Sequence, residues 1–168
     1  MMDEIKNLPV YIKAKELLTL SEHIADYLKD NEQRSDLQSQ IMGNAMLIVV
    51  KISGAEASEL YSLKMENAMR IKFAVRELFE AVLFARLIKI NNNDYVQLIR
   101  NSIEEFRLEF VKWIRSFDPV NDYKDDWAIR YVVDKEDDFE VKMVSTDVKD
   151  IDPDSDDFGI DWDFDEEE

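Results

Sequence analysis

The sequence contains no cysteine, only three glycines and three prolines, and a single histidine. Without cysteine, a disulfide framework and a thiolate metal site are excluded, and a reducing, cytoplasmic location fits. So little glycine and proline favours long uninterrupted helices over a turn-rich β fold. The one histidine, His23, has no second histidine or cysteine to complete a zinc site. We therefore expect it at the surface.

Long apolar runs and catalytic motifs are also missing. The stretch IMGNAMLIVV (41–50) precedes Lys51 and is too short to span a bilayer. The first residues, MMDEIKNLPV, lack the basic and apolar regions of a signal peptide. No phosphate-binding loop, dinucleotide fingerprint or nucleophile elbow occurs. We predict no membrane contact, no catalytic residue, no cofactor and no metal, and hence a protein that is not an enzyme.

Charge divides the chain into two unequal parts. Residues 1–118 carry 16 Lys and Arg against 18 Asp and Glu, whereas residues 119–168 carry 5 against 20. A nearly neutral domain is thus followed by a strongly acidic arm, which accounts for most of the net charge of −17. We predict a domain over 1–118, an extension over 119–146 and an acidic tail over 147–168.

Helical periodicity dominates the first part. Apolar residues recur at helical spacing over 9–29, 35–54, 58–89 and 94–117. Ser35 and Gln38 form an S-x-x-Q capping box for the second segment, and the NNN at 91–93 supplies a turn and a cap for the fourth. The predicted fold is all-α, an antiparallel up-down four-helix bundle.

The third and fourth segments differ in their apolar patterns. The third is apolar in nearly every direction, which is typical of a helix buried on most faces and indicates a self-association surface. The fourth carries one narrow apolar stripe that includes Trp113, so we expect Trp113 in the core.

The acidic arm has a different pattern. AIRYVV (128–133) and FEVKMVS (139–145) alternate around DKEDD and predict a short β-hairpin. The tail beyond it has no period and is predicted to be disordered when free. It nevertheless contains Phe158, Trp162 and Phe164. Because disordered tails are normally poor in aromatics, we favour partner docking by these three residues over two other roles, covering basic stripes of the bundle or keeping it in solution.

Basic residues form two stripes. Lys72 and Arg76 share an edge of the third segment, and Arg100 and Arg107 share an edge of the fourth. Such stripes can follow nucleic-acid phosphates. Glu104, however, lies at helical spacing from both arginines, so intrahelical ion pairs are the other interpretation.

Carboxylates offer one enzymatic alternative. Glu77 and Glu80, together with Glu105 and Glu109, resemble the magnesium ligands of a nucleotide pyrophosphatase. The E-x-x-D that such a site also needs on the next helix is absent, and solvated or ion-paired helix faces explain these residues more simply.

The order of segments resembles a known family. Three short motifs carry the resemblance: Y-x-K-A-x-E-L at 11–17, L-x-x-Q-I at 37–41 and A-x-x-E-L at 74–78. Over residues 8–117 the chain is similar to the four-helix-bundle proteins encoded in intervening sequences of bacterial large-subunit rRNA genes. That family includes the accessory variability determinant of diversity-generating retroelements. The resemblance implies a homopentamer without catalysis, which in the retroelement branch binds a reverse transcriptase and its template RNA.

Two functions follow as hypotheses. The first is a non-enzymatic oligomeric scaffold that binds a reverse transcriptase or structured RNA. The second is an adaptor or chaperone that holds a basic protein client through the acidic tail and binds no nucleic acid. Salt-dependent RNA binding by the bundle separates them.

Overall fold

A computed structural model describes residues 2–122, and within this range the chain forms five helices and no strand. They are α1 (Met2–Lys6), α2 (Pro9–Tyr27), α3 (Arg34–Glu56), α4 (Tyr61–Leu87) and α5 (Asn93–Arg115). The all-helical prediction is confirmed for these residues. The predicted hairpin and acidic tail lie outside them.

The four long helices coincide with the four periodic segments, and their ends differ from the predicted ones by at most three residues. The first helical position of α2 is Pro9, where a missing N–H costs nothing. The five-residue α1 was not predicted, because it is too short to show a helical period. Among the described residues, no helix is long and apolar enough to cross a membrane.

The capping prediction was right for α5 and wrong for α3. Asn92 caps α5, because its side-chain oxygen accepts a hydrogen bond from the Tyr95 N–H at 3.0 Å. At α3 the capping position is Gln33, which makes no side-chain cap, and Ser35 already lies inside the helix. The Gln38 amide does not reach back along α3; it donates to the Ala25 carbonyl at 2.8 Å and ties α3 to α2. The contact of Gln38 with α2 therefore takes the place of the predicted local cap.

The four long helices enclose one apolar core. α3 packs against α2 and α4, and α5 packs against the same two helices. The most extensive contact of the short helix α1 is with α2. The largest fully buried apolar side chains are contributed by all four: Leu17, Ile24, Ile41, Ile48, Ile52, Ile71, Leu78, Ile99 and Phe106. The arrangement is a helical bundle in which α2 and α4 each contact both α3 and α5.

The segment after α5 folds back onto the start of α4. The Tyr61 N–H donates to the Asn121 carbonyl at 2.9 Å, and the Ser62 N–H donates to the Asp122 carboxylate at 3.1 Å. The side chain of Asn121 also donates to the Glu59 carbonyl. A carboxylate at a helix N-terminus accepts hydrogen bonds from free N–H groups and interacts favourably with the positive end of the helix dipole. Asp122 therefore caps α4 from a distant part of the chain.

Candidate nucleic-acid and partner-binding surfaces

The four predicted phosphate-binding residues lie on two helices that contact each other. Lys72 and Arg76 are exposed on α4, one turn apart, while Arg100 and Arg107 are partly exposed on α5, two turns apart. α4 and α5 pack side by side. The two pairs can form one surface if they lie on the flanks of α4 and α5 that face each other.

Helix geometry places Lys72 and Arg107 on the flanks of α4 and α5 that face each other. On α5, Glu105 reaches α2 through an ion pair with Lys13 at 2.7 Å. Arg107 lies two residues further on, about 200° around the helix, and so on the flank away from α2. On α4, Glu77 lines a groove against α3. Lys72 lies five residues earlier, on the flank away from α3.

Since α5 contacts α2 and α4, and α4 contacts α3 and α5, the two outlying flanks adjoin. We call the set of Lys72, Arg76, Arg100 and Arg107 the basic seam. It combines two stripes that are separated by about 30 residues in the sequence.

Local carboxylates accompany the seam. The Arg107 Nε donates to both oxygens of Glu104, at 2.6 and 3.0 Å, and this bond raises the pKa of the Arg107 guanidinium above its usual value. Arg76 lies 3.6 Å from Glu80, and its guanidinium sits over the Phe73 ring at 5.3 Å. The predicted pairing of Arg107 with Glu104 is confirmed. Such exposed pairs are weak, so a phosphate can compete for the same guanidinium.

The other side of α4 has the opposite character. The groove between α3 and α4 is open and carries Asp36, Glu77 and Glu80 together with Gln33, Gln40 and Asn44. Among the described residues, none that lines it is basic. An anionic ligand would be repelled there. The distribution of charge therefore distinguishes an acidic α3–α4 groove from a basic α4–α5 seam.

The carboxylates that suggested a magnesium site are not gathered into one. Glu105 binds Lys13 of α2, Glu109 binds Lys112 and Glu80 pairs with Arg76. Within residues 2–122, no group of three or more acidic or histidine side chains is placed to hold a metal ion. His23 is exposed, as expected, beside an open apolar groove on α2.

The predicted partner anchors Phe158, Trp162 and Phe164 lie beyond the described residues. Another surface is visible instead, and the sequence pattern pointed to it without locating it. Large apolar side chains of α4 face outward: Met69 is 37% exposed, Phe73 44%, Phe84 44% and Leu87 47%. We call these four residues the outer face of α4. Their exposure shows which of the many apolar positions of α4 are not used by the core.

No protein-family model matches the chain. No curated protein matches it either.

Proposed function

We propose that this chain is a non-enzymatic, self-associating accessory protein of the cytoplasm. It binds structured RNA and a reverse transcriptase, and it contacts the reverse transcriptase directly or through the RNA. The proposal takes the four long helices as an antiparallel up-down bundle. Short connections support that arrangement, since residues 28–33, 57–60 and 88–92 leave little room for anything but antiparallel neighbours. It also takes up the resemblance to the rRNA intervening-sequence and accessory variability determinant family, in which five copies form the oligomer.

The basic seam is the observation that carries the RNA part of this proposal. It places Lys72, Arg76, Arg100 and Arg107 along two adjoining helices of a domain that is otherwise nearly neutral. Four cations along an adjoining pair of helices can contact several phosphates of one RNA. The neighbouring Glu80 and Glu104 limit the affinity, so we expect binding that is moderate and strongly dependent on salt.

The test is a titration of a fluorescent RNA hairpin with the full chain at several potassium chloride concentrations. We expect affinity to fall steeply with salt, and the double variant Arg100→Glu, Arg107→Glu to bind about tenfold more weakly or worse, because two phosphate contacts become repulsive. The matched control is Lys15→Glu with Lys29→Glu, which makes the same change of charge at exposed positions of α2 and the loop after it. Thermal melts establish that both variants fold.

Equal loss of affinity in both double variants would mean that only net charge matters and would remove the seam from the proposal. No RNA binding by the parent chain would favour the second candidate function, an adaptor or chaperone for a basic protein client. The excess of 20 acidic over 5 basic residues in 119–168, with Phe158, Trp162 and Phe164 among them, favours that alternative. There the carboxylates would steer the client and the aromatics would fill apolar pockets.

A further inference from the structure

The side of α4 that lies toward α3 presents two phenylalanines and a glutamate to the outside. Phe73, Glu77 and Phe84 are all exposed. Glu77 and Phe84 line the groove against α3, and Phe73 lies one turn before Glu77 on the same side. Within the described part of the chain, Glu77 forms no ion pair. We call these three residues the phenylalanine flank. Its apolar rings and its negative charge find no partner in the fold of one copy.

The outward side of α2 has the complementary shape and charge. An open groove with a mainly apolar lining runs along it, and Ile12 and Lys15 are among its exposed lining residues. Lys15 forms no ion pair within residues 2–122. Its neighbour Glu16 already pairs with Lys13 at 2.8 Å. We call this concave surface the α2 groove. It offers an apolar depression and a cation that is available for a carboxylate.

We propose that the phenylalanine flank of one copy docks in the α2 groove of the next copy. The spacings of the two surfaces agree. Phe73 and Phe84 are 11 residues apart, and so are Ile12 and His23, which both line the groove. Eleven residues of helix span about 16 Å. When α4 runs parallel to α2 of the next copy, Phe73 lies at Ile12 and Phe84 at His23.

The charges select this direction of docking. In the parallel register Glu77 lies within one residue of the level of Lys15, so a negative group meets a positive one. In the antiparallel register Glu80 would lie level with Glu16, which is repulsive. The contact requires no residue of the basic seam. RNA and a second copy therefore bind different sides of α4.

The two surfaces lie at opposite corners of the bundle. α2 and α4 each contact both α3 and α5, and within the described residues no extensive contact joins α2 to α4. A copy can therefore fill the groove of one neighbour while its own groove receives the flank of another. Such a head-to-tail contact does not end at two copies, and it closes into a ring when the rotation between copies permits. It is compatible with the five-copy oligomer of the proposed function.

The inference rests on the proposed self-association and not on RNA binding. The basic seam lies within one copy, so a short RNA hairpin should bind separated copies with an affinity within a few-fold of the parent. Lys15→Glu therefore remains a control for RNA binding even though it should weaken association. Measuring both properties on each variant distinguishes failure of this contact from failure of the RNA proposal.

Charge exchange tests the contact by analytical sedimentation of the full chain. Glu77→Lys alone and Lys15→Glu alone should each raise the dissociation constant of the oligomer by about tenfold or more, because like charges then meet. The combined variant restores the pair in reverse and should return the constant to within a few-fold of the parent. Glu32→Lys, the same charge change at an exposed loop position, is the control and should have little effect. Failure of the combined variant to rescue association would overturn the proposal.

The absence of cysteine permits a second test by cross-linking. Asp26→Cys and Leu87→Cys lie at exposed positions three residues beyond His23 and Phe84, so they should adjoin across copies. No disulfide can form between them within one copy, because α2 and α4 do not adjoin there. On oxidation, we expect the double variant to give covalent species larger than two chains, and each single variant to give few.

A series of linked species that stops at two chains would overturn the proposal in favour of a two-fold contact. A double variant that links no better than the single variants would overturn it altogether. In either case a light-scattering mass above one chain would leave the proposed self-association standing, with its contact elsewhere.

Discussion

α4 and α5 are neighbouring helices of similar length that distribute their large side chains in opposite ways. In α5 the bulky residues Phe106 and Trp113 point into the core. In α4 half of the buried positions are alanine, namely Ala68, Ala74, Ala81 and Ala85, while Phe73 and Phe84 point outward. α5 thus fills the core, and α4 allows its neighbours to approach closely.

This difference shows that Phe73 and Phe84 of α4 contribute little to the core of a single copy, unlike Tyr61 and Phe79 of the same helix. Burying a phenylalanine side chain stabilises a protein by roughly 1.5–3 kcal/mol relative to leaving it exposed. The described residues gain little of that from Phe73 and Phe84. A group of large exposed apolar side chains is characteristic of an interaction surface, which is why we assign the outer face of α4 to association and α5 to the core.

The largest effect expected from this contrast is at Trp113. Its side chain is 6% exposed, its Nε1–H donates to Glu56 at 2.7 Å, and its ring meets Phe117 edge-on at 4.8 Å. We expect Trp113→Ala to lower the free energy of unfolding by about 3–5 kcal/mol in urea titrations. Phe73→Ala, which removes a partly exposed ring, should cost the single copy less than about 1 kcal/mol.

Those two substitutions should be compared at protein concentrations low enough to keep the copies apart, because association would add stability to the parent. Equal losses at Trp113 and Phe73 would contradict the contrast between the two helices.

A smaller effect is expected where α4 approaches its neighbours. Ala85 is fully buried, so Ala85→Leu should force larger atoms into a packed interface and cost about 1–3 kcal/mol. Ala57→Leu, at an exposed position beside the end of α3, is the control and should be nearly neutral. Urea midpoints measure both. If Ala85→Leu proved neutral, the close packing of α4 would be wrong.

The smallest effects concern the caps of the two helices. Asn92→Ala removes the local cap of α5, and Asp122→Ala removes the distant cap of α4. Each should cost about 1 kcal/mol. The two should differ in one respect: loss of Asp122 should also free the segment after α5, and hydrogen exchange at the Tyr61 and Ser62 amides should rise. Unchanged exchange there would mean that Asp122 does not cap α4.

These caps also show how far the sequence could predict the fold. Asn92 was predictable because it bonds three residues along the chain. The Ser35 prediction failed because Gln38 found the Ala25 carbonyl on another helix. The cap by Asp122 involves residues 60 positions apart, and no local pattern encodes such a contact. The four long helices were predictable because apolar residues recur at helical spacing in all four segments, most clearly in α5.

The candidate surfaces were predictable in part. Spacing alone placed Arg100 with Arg107 and Lys72 with Arg76, and it anticipated the Glu104–Arg107 pair. It could not bring the two stripes to one seam, since that depends on which flank of each helix is covered. Likewise the excess apolar content of α4 indicated self-association, but only burial separated Met69, Phe73, Phe84 and Leu87 from the core residues.

The most direct test of the central claim, that α4 holds copies of this chain together, is a light-scattering mass for the untreated full chain beside its Phe73→Ser, Phe84→Ser variant. The account predicts a parent mass of several times 19.8 kDa and a variant mass near 19.8 kDa with unchanged helicity. A parent that is already a single chain, or a variant that keeps the parent mass, would contradict it.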